Sequence, residues 1–538
     1  MKNLYFPLLI GLLLLTINAS SQTPLLVKNI YLSGGSDPEE LTDVGEVLYF
    51  KAVDNANGYE LWRSDGTEIG TEMVRDINPT GSSTPVNFTA VGSTIFFKAN
   101  DGVKGEELWF SDGTEIGTFL KLDINPTGSS VPEYLTEVNG TVYFKANDGS
   151  HGEELWKTDT TLLSTEMVMD INPSGNGSPM FLIRMNDMVY FSAEDPINGR
   201  ELWKSDGTML GTEMVRDINP SGSSDPENFA VFNDELYFQA KDDASHGIEL
   251  WKTDGTAVGT VLVKDINIGG NSFPTNLTVS GDYLFFSATD GESGIELWRT
   301  DGTTEGTVMV KNINPSIGSN PEELADFDGT LFFSATDGSV GHELWKSDGT
   351  EDGTVLVKDI NGMGSSNSSP NYLTVYGHLL FFQSTNGTHG KELWVSDGTL
   401  EGTKMVADIN PLGSGDPSWL TVSNNTLFFQ ANDGDLGHEL WKLEVTAGIP
   451  SITKTVDFQL FPVPTSDVVY LKMSATENEN YVVQIIDTYG KLVFYKEINS
   501  LDYESFIEID MSDLASGIYI VNVMNAQGDI TTKKIIKQ

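Results

Sequence analysis

The stretch Tyr134-Leu135-Thr136-Glu137-Val138-Asn139-Gly140-Thr141-Val142-Tyr143-Phe144-Lys145-Ala146-Asn147-Asp148-Gly149 reads as two strands, each ending in a turn. Asn-Gly and Asp-Gly between apolar runs are strong hairpin signals, because tight hairpin turns need positive φ. Two further strand-like runs follow, Glu154-Leu155-Trp156-Lys157 and Glu166-Met167-Val168-Met169-Asp170-Ile171. Residues 130–172 therefore predict a four-stranded antiparallel sheet, with strands a, b, c and d. The same sentence is written nine times, its Glu-Leu-Trp tryptophans being Trp62, Trp109, Trp156, Trp203, Trp251, Trp298, Trp345, Trp394 and Trp441, spaced 47 to 49 residues apart. Length alone, 538 residues, suggests three or four domains. The period overrides that estimate and predicts one repeat architecture.

Four-stranded units of this size form either a closed propeller or a linear row of small sheets. The ends of the array discriminate. It begins with a strand d lacking a predecessor, Leu25-Leu26-Val27-Lys28-Asn29-Ile30, and stops after a strand c, Glu439-Leu440-Trp441-Lys442, with no strand d behind it. Pairing the N-terminal strand into the last unit completes nine blades and removes an exposed sheet edge. The expectation is an all-β chain: a nine-bladed β-propeller over 23–445, then a linker at 446–455 and a small Ig-like β-sandwich at 456–538. An open or split ring is the alternative.

The termini carry addresses. Met1-Lys2-Asn3 has one positive charge, Leu4 to Ile17 is almost wholly apolar, and Ala19-Ser20-Ser21 is small. That order predicts a secretory signal peptide over 1–21, cleaved between Ser21 and Gln22. Its apolar core is shorter than a bilayer-spanning helix requires, and no later segment is long and apolar enough to span. At the other end stand Leu460-Phe461-Pro462-Val463-Pro464-Thr465, Ile486-Asp487-Thr488-Tyr489-Gly490-Lys491, Leu514-Ala515-Ser516-Gly517-Ile518-Tyr519 and Lys533-Lys534-Ile535-Ile536. These motifs resemble, in order, the type A C-terminal sorting domain of type IX secretion cargo of Gram-negative bacteria. Val463 departs, since the family usually has Asn there. The resemblance implies periplasmic passage, then handling by the type IX machinery and export across the outer membrane to the cell surface or beyond. The middle of the chain, with Glu-Leu-Trp-x-Ser-Asp-Gly-Thr at Glu60 to Thr67 and Glu201 to Thr208 among others, resembles the secreted ELWxxDGT repeat proteins. That resemblance supports the architecture more than any chemistry.

Composition excludes several functions. With 31 basic and 78 acidic side chains the net charge is −47, which repels phosphate backbones and argues against nucleic acid and anionic membranes as partners. The chain has no cysteine, hence no disulfide, thiolate nucleophile or cysteine-ligated metal. From Lys454 onward there are 7 lysines and 12 acidic residues, so about −42 of the charge precedes the tail.

In an antiparallel blade the d-to-a and b-to-c loops share one face. Their length makes it the candidate working face. Two acidic rings border it. Asp76, Asp123, Asp170, Asp217, Asp265, Asp359 and Asp408 form one, with Asn29 and Asn312 in the other two places. The second holds Asp54, Asp101, Asp148, Asp195, Asp243, Asp290, Asp337 and Asp433, with Asn386 as the exception. Hard oxygen donors in glycine-rich loops suit calcium, although the spacing is not that of an EF-hand; turn capping is the competing role. The Glu of each Glu-Leu-Trp is expected partly buried, paired with Lys, Arg or loop amides. The Ser-Asp-Gly-Thr turns on the opposite face read as hairpin chemistry. His151, His246, His342, His389 and His438 occupy two different offsets in the b-to-c loop and read as exposed loop residues. Tyr134, Phe181, Tyr372 and Trp419 replace the Asn or Glu of other copies at the d-to-a loop exit, near the channel mouth. There they could stack on sugar rings or other flat apolar surfaces, or pack between blades.

Nearly every carboxylate repeats around the ring, whereas catalysis needs a unique constellation. This favours a surface-displayed binding or adhesion module for an extracellular glycan or protein over an enzyme acting on polysaccharide. No catalytic residues are assigned.

Overall fold

In the first blade, β2 (Glu39–Val44), β3 (Val47–Asp54), β4 (Gly58–Ser64) and β5 (Glu72–Arg75) pair in sequence order, preceded by β1 (Leu25–Lys28), which belongs to another sheet. Along β3 the residues Leu48, Phe50 and Ala52 on one face are wholly buried, and Tyr49 on the other is 3 % exposed. A central strand buried on both faces is what face-to-face stacking of blades produces, and it explains the near-continuous apolar runs. The computed structural model describes residues 23–444, apart from 163, 243–245, 363 and 365. In the C-terminal region it describes residues 458–461, 468–473, 481–487, 492–498, 505–512, 514, 516–525 and 530–537. The expected signal peptide, its cleavage point at Ser21 and Gln22, and the linker at 446–455 lie outside the described residues.

The propeller has nine four-stranded sheets, and the ninth closes with β1 against His438–Leu443, pairing Leu25 with Lys442 and Leu26 with Trp441. Each innermost strand a packs beside the next blade's, and the last, Ser418–Ser423, lies beside β2. Nine apolar clusters fill the spaces between blades. The one at the seam joins Val27, Ile30, Phe428 and Leu440 of the ninth blade to Leu48, Phe50 and Trp62 of the first. Hydrogen bonds cross the same seam, with the Thr421 hydroxyl donating to Leu41 O at 3.1 Å and Asp37 N to His438 O at 3.0 Å. The ring is closed, with no split.

Cations on the outer strands tie neighbouring blades together. Lys28 Nζ donates to Thr71 O at 2.6 Å, Lys264 Nζ to Thr307 O at 2.7 Å and Lys311 Nζ to Thr354 O at 2.8 Å, each reaching the c-to-d turn of the following blade. Those turns are built as expected. Asp65 Oδ1 accepts from Thr67 N at 2.8 Å and its hydroxyl at 2.7 Å, while Ser64 Oγ and Thr71 Oγ1 lie 2.7 Å apart. The third copy, which lacks the glycine, keeps the arrangement through Asp159 and Thr161.

The C-terminal unit has two sheets, Phe458–Phe461, Val468–Met473 and Ser505–Asp510 in one, and Tyr481–Asp487, Leu492–Ile498, Gly517–Asn525 and Ile530–Lys537 in the other. Val469, Leu471 and Ile509 from the first meet Val483, Ile485, Val521 and Ile535 from the second in one buried cluster, as a sandwich requires.

Candidate functional site at the channel mouth

The working face is assembled from the glutamates outward. All nine Glu-Leu-Trp glutamates are fully buried. Glu60 accepts from Ile77 N at 2.9 Å, Ser83 N at 3.0 Å and Ser83 Oγ at 2.6 Å. Glu201 does the same with Ile218 and Ser224. Glu439 takes Ile30 N and Ser36 Oγ, so the last glutamate holds the first loop. The partners are loop amides and serines, with no Lys or Arg among them, and burial is complete where partial burial was expected. Burial pushes the carboxyls of Glu60, Glu154, Glu201, Glu343 and Glu392 up to about 7, against the opposing pull of the amide donors.

Each pinned loop then enters strand a through two residues of positive φ. The first precedes a proline in every blade, as at Thr84-Pro85 and Val131-Pro132. The second residue of strand a is the other: Glu40, Asn87, Tyr134, Phe181, Asn228, Asn276, Glu323, Tyr372 and Trp419, with φ between 55° and 61°. The strand register shifts at this point in every blade, as between Glu39 and Thr42. A left-handed bulge at a bulky residue costs about 1–2 kcal/mol. Nine of them form one circle on the innermost strands, where side chains from neighbouring blades meet. Asn87 N donates to Glu40 Oε2 at 3.0 Å, Tyr372 N to Glu323 Oε2 at 2.8 Å, and the rings of Tyr134 and Phe181 stand edge to face at 5.7 Å.

The four aromatic residues expected at the channel mouth all belong to this circle, as two adjacent pairs on opposite arcs: Tyr134 with Phe181, and Tyr372 with Trp419. Tyr372 and Trp419 are 40 % and 38 % exposed, whereas Tyr134 and Phe181 are half-buried. A cleft of about 460 Å³ opens beside Asn87, Lys98, Glu133 and Tyr134, and another of about 360 Å³ beside Glu322, Glu323, Ser334 and Asn371. The bulge itself was invisible to strand patterning. Its signal in the sequence is one column that varies among Glu, Asn, Tyr, Phe and Trp while its surroundings repeat.

The second acidic ring is engaged in its own turns. Asp101 Oδ1 accepts from Val103 N and Lys104 N, Asp290 Oδ1 from Glu292 N and Ser293 N, and Asp433 Oδ1 from Asp435 N and Leu436 N. Asp54, Asp148, Asp195 and Asp337 repeat the pattern, as does Asn386. Asp243 lies outside the described residues. At Asp54, burial pushes the carboxyl up, but the amides of Asn57 and Ala56 together with the Asn57 side chain outweigh it and hold the group below its ordinary range. These aspartates sit one to a blade with an oxygen engaged by their own turns, and among the described residues no three acidic or histidine side chains converge. In the first ring Asp76, Asp123, Asp170, Asp217, Asp265 and Asp408 each keep one buried oxygen without a partner among the described residues. His151 and His246 pair with Asp148 and Asp242 at 2.7 and 2.6 Å, in separate blades.

The tail decides the destination. Residues 459–538 match the family described as the secretion system C-terminal sorting domain. It is a type IX sorting domain. The protein is therefore exported across the outer membrane to the cell surface or extracellular space, and the sorting domain engages the type IX machinery. Among the described residues no helix is long and apolar enough to cross a membrane. No curated protein matches the chain. Among solved structures, a puromycin hydrolase is similar at 14% identity with TM-score 0.36, covering 75% of this chain and 60% of its own. A puromycin-hydrolyzing peptidase of Mycobacterium tuberculosis is similar at 9% identity and TM-score 0.37, over 64% of this chain and 58% of its own. A protein of Listeria monocytogenes EGD-e is similar at 9% and 0.35, over 71% and 97%. The chain thus spans about 60% of the length of the puromycin hydrolase.

Proposed function

We propose that this chain is a binding or adhesion propeller, delivered by its sorting domain and gripping an extracellular glycan or protein at the channel mouth. A signal peptide at 1–21 starts its route, and its repeats are of the ELWxxDGT kind. One observation carries the reading: a left-handed position recurs in all nine blades, half-buried in five and exposed in four, and it is there that an otherwise repetitive chain places different side chains. Two aromatic pairs separated by amides and carboxylates supply flat apolar surface with hydrogen-bonding groups alongside, the composition that sugar rings or a protein loop would use.

The test is an array of extracellular glycans and surface proteins probed with the mature chain and with Tyr134→Asn and Trp419→Asn. Asn already stands at Asn87, Asn228 and Asn276, so both variants keep the fold. Loss of a wild-type signal in the two variants supports the reading. Equal signals from all three chains, or polysaccharide turnover abolished by replacing one non-repeated carboxylate, would overturn it.

A further inference from the structure

The two clefts occupy the same place between blades, yet their charges differ. In the first, Lys98 reaches in beside Glu133 and Tyr134. The equivalent of Lys98 in the second is Ser334, and two carboxylates, Glu322 and Glu323, stand where the first has Val86 and Asn87. Elsewhere the Glu that begins strand a has a partner across the strand pair. Glu39 holds Lys51 at 2.6 Å, Glu133 holds Lys145 at 2.8 Å, and Glu227 accepts from Gln239 at 3.2 Å. Glu322 faces Ser334 in the same register and, among the described residues, neither Glu322 nor Glu323 has a basic partner. Ser334 is 4 % exposed, lines the cleft, and its hydroxyl has no hydrogen-bond partner among the described residues. His342 also lines the cleft but forms no ion pair with either carboxylate.

The chain itself shows what fills such a space. Lys145 Nζ sits 2.8 Å from Glu133, 3.7 Å from Glu153 and 5.6 Å from the centroid of the Tyr134 ring. In the blade of the second cleft Glu323 stands at the position of Tyr134, and its carboxylate is fixed by the Tyr372 amide of the next blade, which donates at 2.8 Å.

We propose that the cleft of Glu322, Glu323 and Ser334 receives a primary alkylammonium group from the ligand, which takes the place that lysine holds in other blades. The two carboxylates supply charge and the Ser334 hydroxyl accepts a third hydrogen bond. The source is a free amine or a lysine side chain of a protein. The inference rests on reading this face as the ligand-binding one.

Calorimetry of the mature chain at physiological salt tests it, with cadaverine and an acetylated, amidated lysine peptide as probes. Wild type should bind one equivalent of either probe, with Glu322→Gln at least 10-fold weaker. Ser334→Lys should lose the site while keeping its unfolding temperature, because a lysine stands at that register position in three other blades. Comparable affinities indicate a free amine, and a peptide at least 10-fold tighter indicates a protein lysine; both support the site. Unchanged binding in Ser334→Lys, or displacement of the amine by equimolar calcium, would overturn it. Tyr134→Asn, in the opposite arc, should leave amine binding intact, so failure of the wider reading on the array is distinguishable from failure here.

Discussion

Closing the ring with the first strand makes the seam the place to break it. Val27 is 6 % exposed and sits between the ninth and first blades with Phe50, Trp62 and Leu440. Replacing it with Asp forfeits about 2 kcal/mol of side-chain burial and places a carboxylate in an apolar space, at several kcal/mol more. The sum, on the order of 5 kcal/mol, rivals the net stability of a typical domain. Val263 is 3 % exposed in the equivalent outer strand of the fifth blade, Val261–Lys264, so Val263→Asp carries the same local cost. The outcomes should differ, because that strand continues into blades on both sides. β1 can leave the ninth blade alone and relieve the buried charge, giving up a short pairing and the Glu439 contacts. Trypsin reads this directly, since Lys28 is shielded in the closed ring by its bond to Thr71 O. Under native conditions Val27→Asp should be cleaved after Lys28 at least 10-fold faster than wild type, with the remaining blades intact by mass. Val263→Asp should lower the denaturation midpoint without preferential cleavage at Lys28. If Val27→Asp resists cleavage as well as wild type does, β1 is not what holds the ring closed.

The buried glutamates set a pH dependence. With folded carboxyls near 7 against about 4.5 unfolded, the folded state holds more protons in that window, so stability should fall as pH rises from about 4.5 to about 7. Glu201→Gln should reduce the slope of unfolding free energy by up to about 1.4 kcal/mol per pH unit, measured by urea denaturation; an unchanged slope would show that Glu201 is ionised throughout. Below about 4 the trend should reverse, as Asp65 and Asp112, held low chiefly by the Thr67 and Thr114 hydroxyls, become protonated. Asp112→Ala should cost about 1 kcal/mol by removing the bonds to Thr114 N and Oγ1, read as a shift in denaturation midpoint. Trp419→Asn should weaken ligand retention yet leave the unfolding temperature unchanged or raised, because Asn tolerates φ of 56° better than Trp does.

Much of the architecture was legible because the repeat writes it nine times. Asn139-Gly140 and Asp148-Gly149 mark turns by their backbone requirements, and the unpaired Leu25–Lys28 strand at one end matched the missing strand at the other. The four aromatics at the mouth could be picked out as exceptions within a regular column. The glutamates were harder. The sequence placed Glu60 as partly buried with Lys, Arg or loop amides as its partners, and only the return of the loop at Ile77 and Ser83 shows that it is fully buried and that its donors are amides and a hydroxyl from the chain ahead. For the aspartates, residue type alone left calcium and turn capping side by side, because it says nothing about convergence. Asp101, Asp290 and Asp433 bond their own turns, on separate blades.

The sequence by itself determined the blade count, the all-β class and the sorting tail, because period, turn chemistry and motif order are local properties of the chain; ring closure by the first strand was settled by its pairing with Leu440–Lys442. Only the tertiary structure decided what the working face consists of. The left-handed bulges arise where a loop pinned by a buried glutamate enters the crowded innermost strand, and the pairing of Tyr134 with Phe181 depends on residues 47 apart becoming neighbours around a ring. The uncompensated charge of Glu322 was equally hidden, since a missing lysine is visible only after strand register shows which residue should have held it.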